Sequence, residues 1–64
     1  MREIAGNSNF SPGDFVRNPK RPEWGLGQIQ SRVGHRITVN FENAGKVVID
    51  GSVVELEPAE PPPA

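Results

Sequence analysis

The residues best suited to chemistry in this chain are few and lie far apart. It has one histidine, His35, and no cysteine, so no thiolate nucleophile or thiolate metal ligand is present. His35 follows Gly34 in a predicted hairpin turn, and no serine and aspartate accompany it in a triad pattern. The acids Asp50, Glu55 and Glu57 are spread over a turn and a tail. We therefore expect no catalytic or metal site and no cofactor.

The pattern Gly25-x-Gly27 is the one glycine pair that resembles a phosphate loop. It lacks the third glycine, the lysine and the following helix that such a loop requires. Glycines two residues apart lie on one side of a strand, where they allow a sharp bend or a close backbone approach. If Ile29 points inward, both glycines share the inward side, and Trp24 and Leu26 point the other way.

The elements that must position these residues are short strands separated by turns, with no helical period. The clearest strand covers 36–41, where Ile37, Val39 and Phe41 alternate with polar residues. Four or five short strands leave two unprotected edges unless the sheet curls. The sequence therefore predicts an all-β fold, a small barrel of four to five antiparallel strands. The other expected strands are 14–17, 25–31, 46–49 and 53–56.

The ends of the chain differ in composition from its middle. Residues 1–9 show no period and are rich in small polar residues, which predicts a flexible N-terminal arm. Residues 10–56 are predicted to form the barrel. Residues 57–64 hold four of the seven prolines, which predicts an extended, mobile tail. Such a tail is either a solvated terminus or a recognition ligand. No segment has the roughly 20 apolar residues that span a bilayer, no secretion signal is evident, and a cytoplasmic location is expected.

Strand parity predicts an apolar outer patch. If Val16 points inward, Phe15 faces outward together with Trp24 and Leu26. Three cations would rim this patch, and aromatic residues ringed by arginine are typical of binding hot spots. The alternative is that Trp24, the only tryptophan, lies in the core. The rim residues are Arg17, Lys20 and Arg21.

The charges are unevenly distributed. Five of the seven basic residues lie between positions 17 and 36, and five of the eight acids lie from position 42 onward. A basic half suits a polyanion such as single-stranded nucleic acid. It equally suits the solvated outer face of any sheet. The pI of about 5.7 is below that of most dedicated nucleic-acid binders.

Several motifs resemble a small bacterial family of unknown function. The same pattern is similar to the SH3-like, Tudor-like barrel at the C-terminus of UvrD/PcrA-type helicases. It is more distantly similar to the RNA-polymerase-interacting domains of CarD and of the transcription-repair coupling factor. The motifs are Gly13-Asp14-x-Val16-x-Asn18-Pro19, Trp24-Gly25-x-Gly27-x-Ile29, Thr38-Val39-Asn40-Phe41 and Ala44-Gly45-Lys46.

The resemblance implies an SH3-like or Tudor-like barrel that binds protein through an exposed strand edge, with RNA polymerase as the best-known partner. We therefore expect a non-catalytic interaction module for transcription or DNA repair, with a monomer favoured and no membrane association. The alternative is a small barrel that binds nucleic acid weakly. Structural rather than binding roles are expected for Gly13, Asp14, Gly25, Gly27, Asn40 and Gly45.

Overall fold

The chain forms one antiparallel sheet of five short strands. The computed structural model describes residues 10–63, so the predicted arm at 1–9 lies outside the described residues. The all-β class with four to five antiparallel strands is confirmed. Within residues 10–63 the one helical element is a single 3-10 turn, Pro22–Trp24. The strands are β1 (Phe15–Arg17), β2 (Gly27–Val33), β3 (Arg36–Phe41), β4 (Gly45–Asp50) and β5 (Glu57–Pro58).

The order of the strands across the sheet is β4-β3-β2-β1-β5. Two successive hairpins place β2, β3 and β4 side by side, while β1 and then β5 extend the sheet beyond β2. The edges are therefore β4 and β5. No backbone pairing joins them within the described part of the chain, so the sheet is open.

The core lies against one face of the sheet, where alternate residues point inward. Ile37 and Val39 of β3 are 1% and 0% exposed, while Arg36 and Asn40 of the same strand face solvent. This alternation follows from the two-residue period of a strand. Segments outside the strands also contribute buried side chains: Phe10 lies before β1 and Leu56 lies just before β5. The buried apolar residues are Phe10, Val16, Ile29, Ile37, Val39, Phe41, Ile49 and Leu56.

Gly27 lies at a tightly packed position of the sheet. It pairs with Val16 on one side and with Phe41 on the other. A Cβ at this position would lie 2.7 Å from carbons of Phe41 and Val39, closer than such atoms approach in folded proteins. The hydrogen in place of a side chain therefore lets the Phe41 ring pack directly over β2.

β2 begins two residues later than the sequence pattern suggested. The residues before it form the 3-10 turn, and Gly25 ends that turn with φ 80°. A left-handed conformation of this kind interrupts a strand and favours glycine. In the sequence, two prolines near this turn indicate a loop. The 3-10 helix itself is not predictable, because three residues are too few to show a helical period.

The last strand also differs from the expectation. Residues 53–56 end a turn and run without regular structure, and the sheet continues instead at Glu57–Pro58, inside the predicted tail. The Ala59 N–H donates to the Phe15 carbonyl at 2.9 Å, so the neighbouring Pro58 nitrogen points away from β1. Proline is acceptable there because an edge strand needs no donor on its outer side.

We expect Gly27→Ala to lower the free energy of unfolding by about 1–3 kcal/mol, because the added methyl group overpacks Phe41 and Val39. The measurement is urea unfolding followed by Trp24 fluorescence. Gln30→Ala is the control, since Gln30 is an exposed residue of the same strand and should change stability by less than about 0.5 kcal/mol. Equal midpoints for the two variants would contradict the tight packing at Gly27.

Candidate interaction surfaces

The face of the sheet opposite the core is exposed, and its described residues line at least two concave regions. Strand register sets which residues lie side by side on it. Phe15 pairs with Gln28, Gln28 with Asn40, and Asn40 with Lys46, so one row of side chains crosses four strands. This outer face is the surface available for recognition.

The first region, which we call the Phe15 groove, has a volume of about 420 Å³. Phe15 and Leu26 are its half-buried apolar residues. Leu26 is fixed by Glu42, whose backbone N–H donates to the Leu26 carbonyl at 2.8 Å and whose Oε1 accepts from the Leu26 N–H at 3.1 Å. The groove therefore offers an apolar surface beside the side-chain amides of Gln28 and Asn40.

The described residues that line this groove do not include Trp24. It is half-buried and packs against the core, with its ring centroid 5.1 Å from that of Phe41 and the rings tilted by 59°. Tilted aromatic pairs at this spacing contribute stability beyond simple burial. Of the predicted apolar patch, the structure therefore brings together Phe15 and Leu26 and places Trp24 at the margin of the core.

The predicted basic rim is not assembled around the groove either. Arg17, Lys20 and Arg21 are all exposed, and none of them lines it. Arg21 lies 3.8 Å from Glu23 in a solvated ion pair, and pairs of this kind contribute little energy. These cations surround the 3-10 turn and the end of β1, so they form a separate, dispersed set.

The backbone of β4 is open along one side. Gly51 N–H donates to the His35 carbonyl at 2.7 Å, and in antiparallel pairing every second residue pair is bonded in this way. The bonded pairs that follow are Ile37–Ile49 and Val39–Val47. Lys46 and Val48 therefore direct their N–H and C=O groups away from β3, and no described strand lies on that side.

The second concave region, the Val48 cleft, lies beside this edge and has a volume of about 520 Å³. Val33 and Val48 line it and are 76% and 61% exposed, a large fraction for valine. Sequence reasoning missed this cleft, although a signal exists. Because Val47 and Ile49 take the inward positions of β4, Val48 must face outward. Charged and polar groups border the two valines: His35, Arg36 and Asp50.

The residues expected to have structural roles lie mainly in turns. Asp14 closes the turn before β1, where its Oδ2 accepts from the Ser11 N–H at 2.9 Å. Gly13 N–H donates to the Ile29 carbonyl at 2.8 Å and so ties this turn to β2. Gly45 begins β4 with φ 77°. Asn40, by contrast, lies in the exposed row of the outer face.

Residues 10–63 contain neither a candidate metal centre nor a candidate membrane-spanning helix. No group of three His, Asp or Glu side chains in this range is arranged to hold a metal ion. No helix in it is long and apolar enough to span a membrane.

Comparison with known proteins gives one match. A family described as "Protein of unknown function (DUF3553)" matches residues 10–59. This range contains the five described strands and every buried residue of the core, and it stops before the proline run at 61–63. No curated protein and no solved structure matches the chain.

We expect Ser52→Ala to raise the pKa of Asp50. The Ser52 hydroxyl donates to Asp50 Oδ1 at 2.6 Å and the Ser52 N–H at 2.9 Å, and these bonds, with a smaller effect of His35, lower the pKa of Asp50 below its ordinary 3.8. A lowered folded-state pKa gives stability that is present above 3.8 and lost as the pH falls through the folded value. The variant should lose less stability over that window. An NMR titration of the Asp50 carboxyl measures this shift, and an unchanged midpoint would contradict it.

We expect Trp24→Ala to destabilise the fold by about 1–3 kcal/mol, because the variant loses the packing on Phe41. Trp24→Phe is the matched control, since it keeps an aromatic ring at the site and should cost less. Thermal unfolding followed by circular dichroism measures both. A Trp24→Ala protein as stable as the wild type would show that this ring does not support the core.

Proposed function

Because the chain belongs to the DUF3553 family, whose function is unknown, we propose its function from its own surface. It is a non-catalytic protein-interaction module whose β4 edge takes up an extended strand of a partner protein. The observation that carries this proposal is the unpaired backbone of Lys46 and Val48.

The two edges of the sheet are unequal. β5 has two residues, and one of them is Pro58, which has no N–H to offer. Short strands, prolines and charged side chains such as lysine are the devices by which proteins protect sheet edges; β5 has the first two, whereas β4 has the charged residues Lys46 and Asp50. β4 has six residues and no proline, and beside Lys46 it exposes an apolar side chain, Val48. Among the described strands, an added strand therefore finds at β4 the outward N–H and C=O groups of Lys46 and Val48, whereas the Asp50 carbonyl already accepts from Val53 and Val54.

The side chains beside the edge favour a specific kind of strand. A strand paired with β4 places alternate residues on the outer face, next to Val48. An apolar residue at such a position enters the Val48 cleft against Val33. Arg36 and Asp50 border the same cleft, so polar or charged groups of the partner find counterparts at its margin. Backbone pairing then supplies affinity, and the cleft supplies specificity.

The partner we propose is RNA polymerase, within transcription or DNA repair in the bacterial cytoplasm. Support comes from the resemblance to the C-terminal domains of UvrD/PcrA-type helicases and to the polymerase-interacting domains of CarD and the transcription-repair coupling factor. In the polymerase-interacting domains a barrel edge pairs with the polymerase β subunit. The free edge of β4 suits the same mode of binding.

The distribution of charge favours a protein partner over nucleic acid. Arg32 donates from its guanidinium to the Phe10 carbonyl at 3.1 Å, and Arg21 lies beside Glu23. Trp24 is packed on Phe41 instead of standing free for base stacking. A continuous basic groove with exposed aromatic residues, which single-strand binding requires, is therefore not formed by the described residues.

The test is binding of immobilised chain to purified bacterial RNA polymerase core, measured by surface plasmon resonance. We expect Val48→Pro to weaken binding about tenfold or more, because it removes one outward donor, and a tenfold change corresponds to about 1.4 kcal/mol. The β3–β4 ladder keeps its bonds, since the Val48 N–H points away from β3. Val53→Asp is the control, because Val53 is 75% exposed and lies outside the edge.

Equal binding by wild type, Val48→Pro and Val53→Asp would show that β4 is not the site. If wild type binds no polymerase, that partner is wrong. Capture from a bacterial lysate with the same three proteins then tests the module itself. A salt series completes the experiment, because binding to nucleic acid falls steeply between roughly 50 and 200 mM salt, whereas strand addition should change little.

A further inference from the structure

The residues after β5 return to the outer face of the sheet. The Ala59 N–H donates to the Phe15 carbonyl at 2.9 Å, so the chain leaves β5 beside Phe15. Pro62 then lies against the Phe15 groove and forms part of its lining. Of the exposed proline run 61–63, the middle residue therefore forms one wall of this groove.

Three successive prolines have a restricted shape. Each ring fixes φ near −65°, so the run favours the extended polyproline II helix, which has no internal hydrogen bonds. Such a segment has no N–H groups to donate. A site that recognises it must pack against the rings and donate to the exposed carbonyl oxygens.

The Phe15 groove has this chemistry. Phe15 and Leu26 are apolar and half-buried, and they line the same groove as Pro62. Gln28 and Asn40 pair directly across β2 and β3, and their side-chain amides are donors for carbonyl oxygens. Gln28 Nε2 contacts the Gly13 carbonyl at 3.3 Å, a long hydrogen bond that a better acceptor can replace. Grooves lined by aromatic residues are a recurring way of binding polyproline II segments.

We propose that the Phe15 groove is a binding site for an extended proline-rich segment of a partner protein, and that the chain's own proline run, through Pro62, covers part of it in the absence of that partner. The tail is tethered at Ala59, so its effective concentration at the groove is in the millimolar range. A partner segment must therefore bind more tightly than this tethered tail to displace it.

This site is distinct from the edge used in the proposed function. The Phe15 groove and the Val48 cleft share no lining residue among those named, and they lie toward different ends of the outer face. Binding in the groove therefore does not depend on strand addition at β4. An experiment can contradict one of these two proposals and leave the other in place.

The test compares the wild-type chain with a full-length variant carrying Pro61→Gly, Pro62→Gly and Pro63→Gly. Backbone and side-chain amide signals of ¹⁵N-labelled protein report the groove, through Leu26, Gln28 and Asn40. We expect the variant to shift these signals and to leave those of Val33 and Val48 in place. β5 and its pairing with β1 precede the substitutions, so the sheet is retained.

The second arm adds a synthetic peptide with the sequence of residues 59–64, Ala-Glu-Pro-Pro-Pro-Ala. It should move the groove signals of the variant back toward their wild-type positions and saturate. Binding to the variant should be roughly fivefold tighter than to wild type, where the tethered tail competes. A peptide with glycine in place of the three prolines is the control and should not bind.

Each other outcome overturns a part of the proposal. Unchanged groove signals in the variant would show that the tail does not occupy the groove. Equal affinity of the peptide for wild type and variant would show that the tail does not compete for the groove. Peptide-induced shifts outside the groove would show that the peptide binds elsewhere. Groove signals that depend on the concentration of the wild-type chain would assign the occupant to a second copy. The Val48→Pro variant should bind the peptide with the affinity of the wild type. This result would separate the test of the groove from the test of strand addition at β4.

Discussion

The packing of Gly27 against Phe41 is the constraint on which the rest of the structure depends. The row Val16, Gly27, Phe41, Gly45 crosses four strands, and it alternates large residues with glycines. A chain this small has few large side chains to fill a core. The empty position at Gly27 lets one phenylalanine ring cover β2 and also contact Trp24, so a single ring connects the sheet to the 3-10 turn.

That contact also organises the outer surfaces. The turn after β3 holds the segment before β2 through the Asn43 N–H to the Trp24 carbonyl, 3.0 Å, and through Asn43 Nδ2 to the Glu23 carbonyl, 3.1 Å. Glu42 also bonds to Leu26, so hydrogen bonds hold the segment before β2 against the end of β3. Leu26 consequently lies beside Phe15, and Trp24 is turned toward the core.

Local patterns in the sequence predicted the parts of the fold that depend on neighbouring residues. Strand 36–41 shows a clear alternation of Ile37, Val39 and Phe41 with polar residues, and the structure has it with the same bounds. The short strand Glu57–Pro58 has no pattern, because it exists only through pairing with β1. Parity also placed Phe15 and Leu26 on the outer face. Parity could not place Trp24, because the left-handed Gly25 breaks the alternation between Trp24 and the strand. It could not predict the Val48 cleft either, because that cleft depends on which strands become neighbours.

The unequal edges of the sheet have a consequence for self-association. Growth of a continuous intermolecular sheet, as in a fibre, requires each molecule to offer two strand edges, one for each neighbour. This molecule offers β4, while Pro58 and the brevity of β5 obstruct the other side. Two copies that meet edge to edge through β4 use up the open backbone of both. Contact of this kind between the described sheets therefore ends at a pair of molecules and does not extend into a fibre.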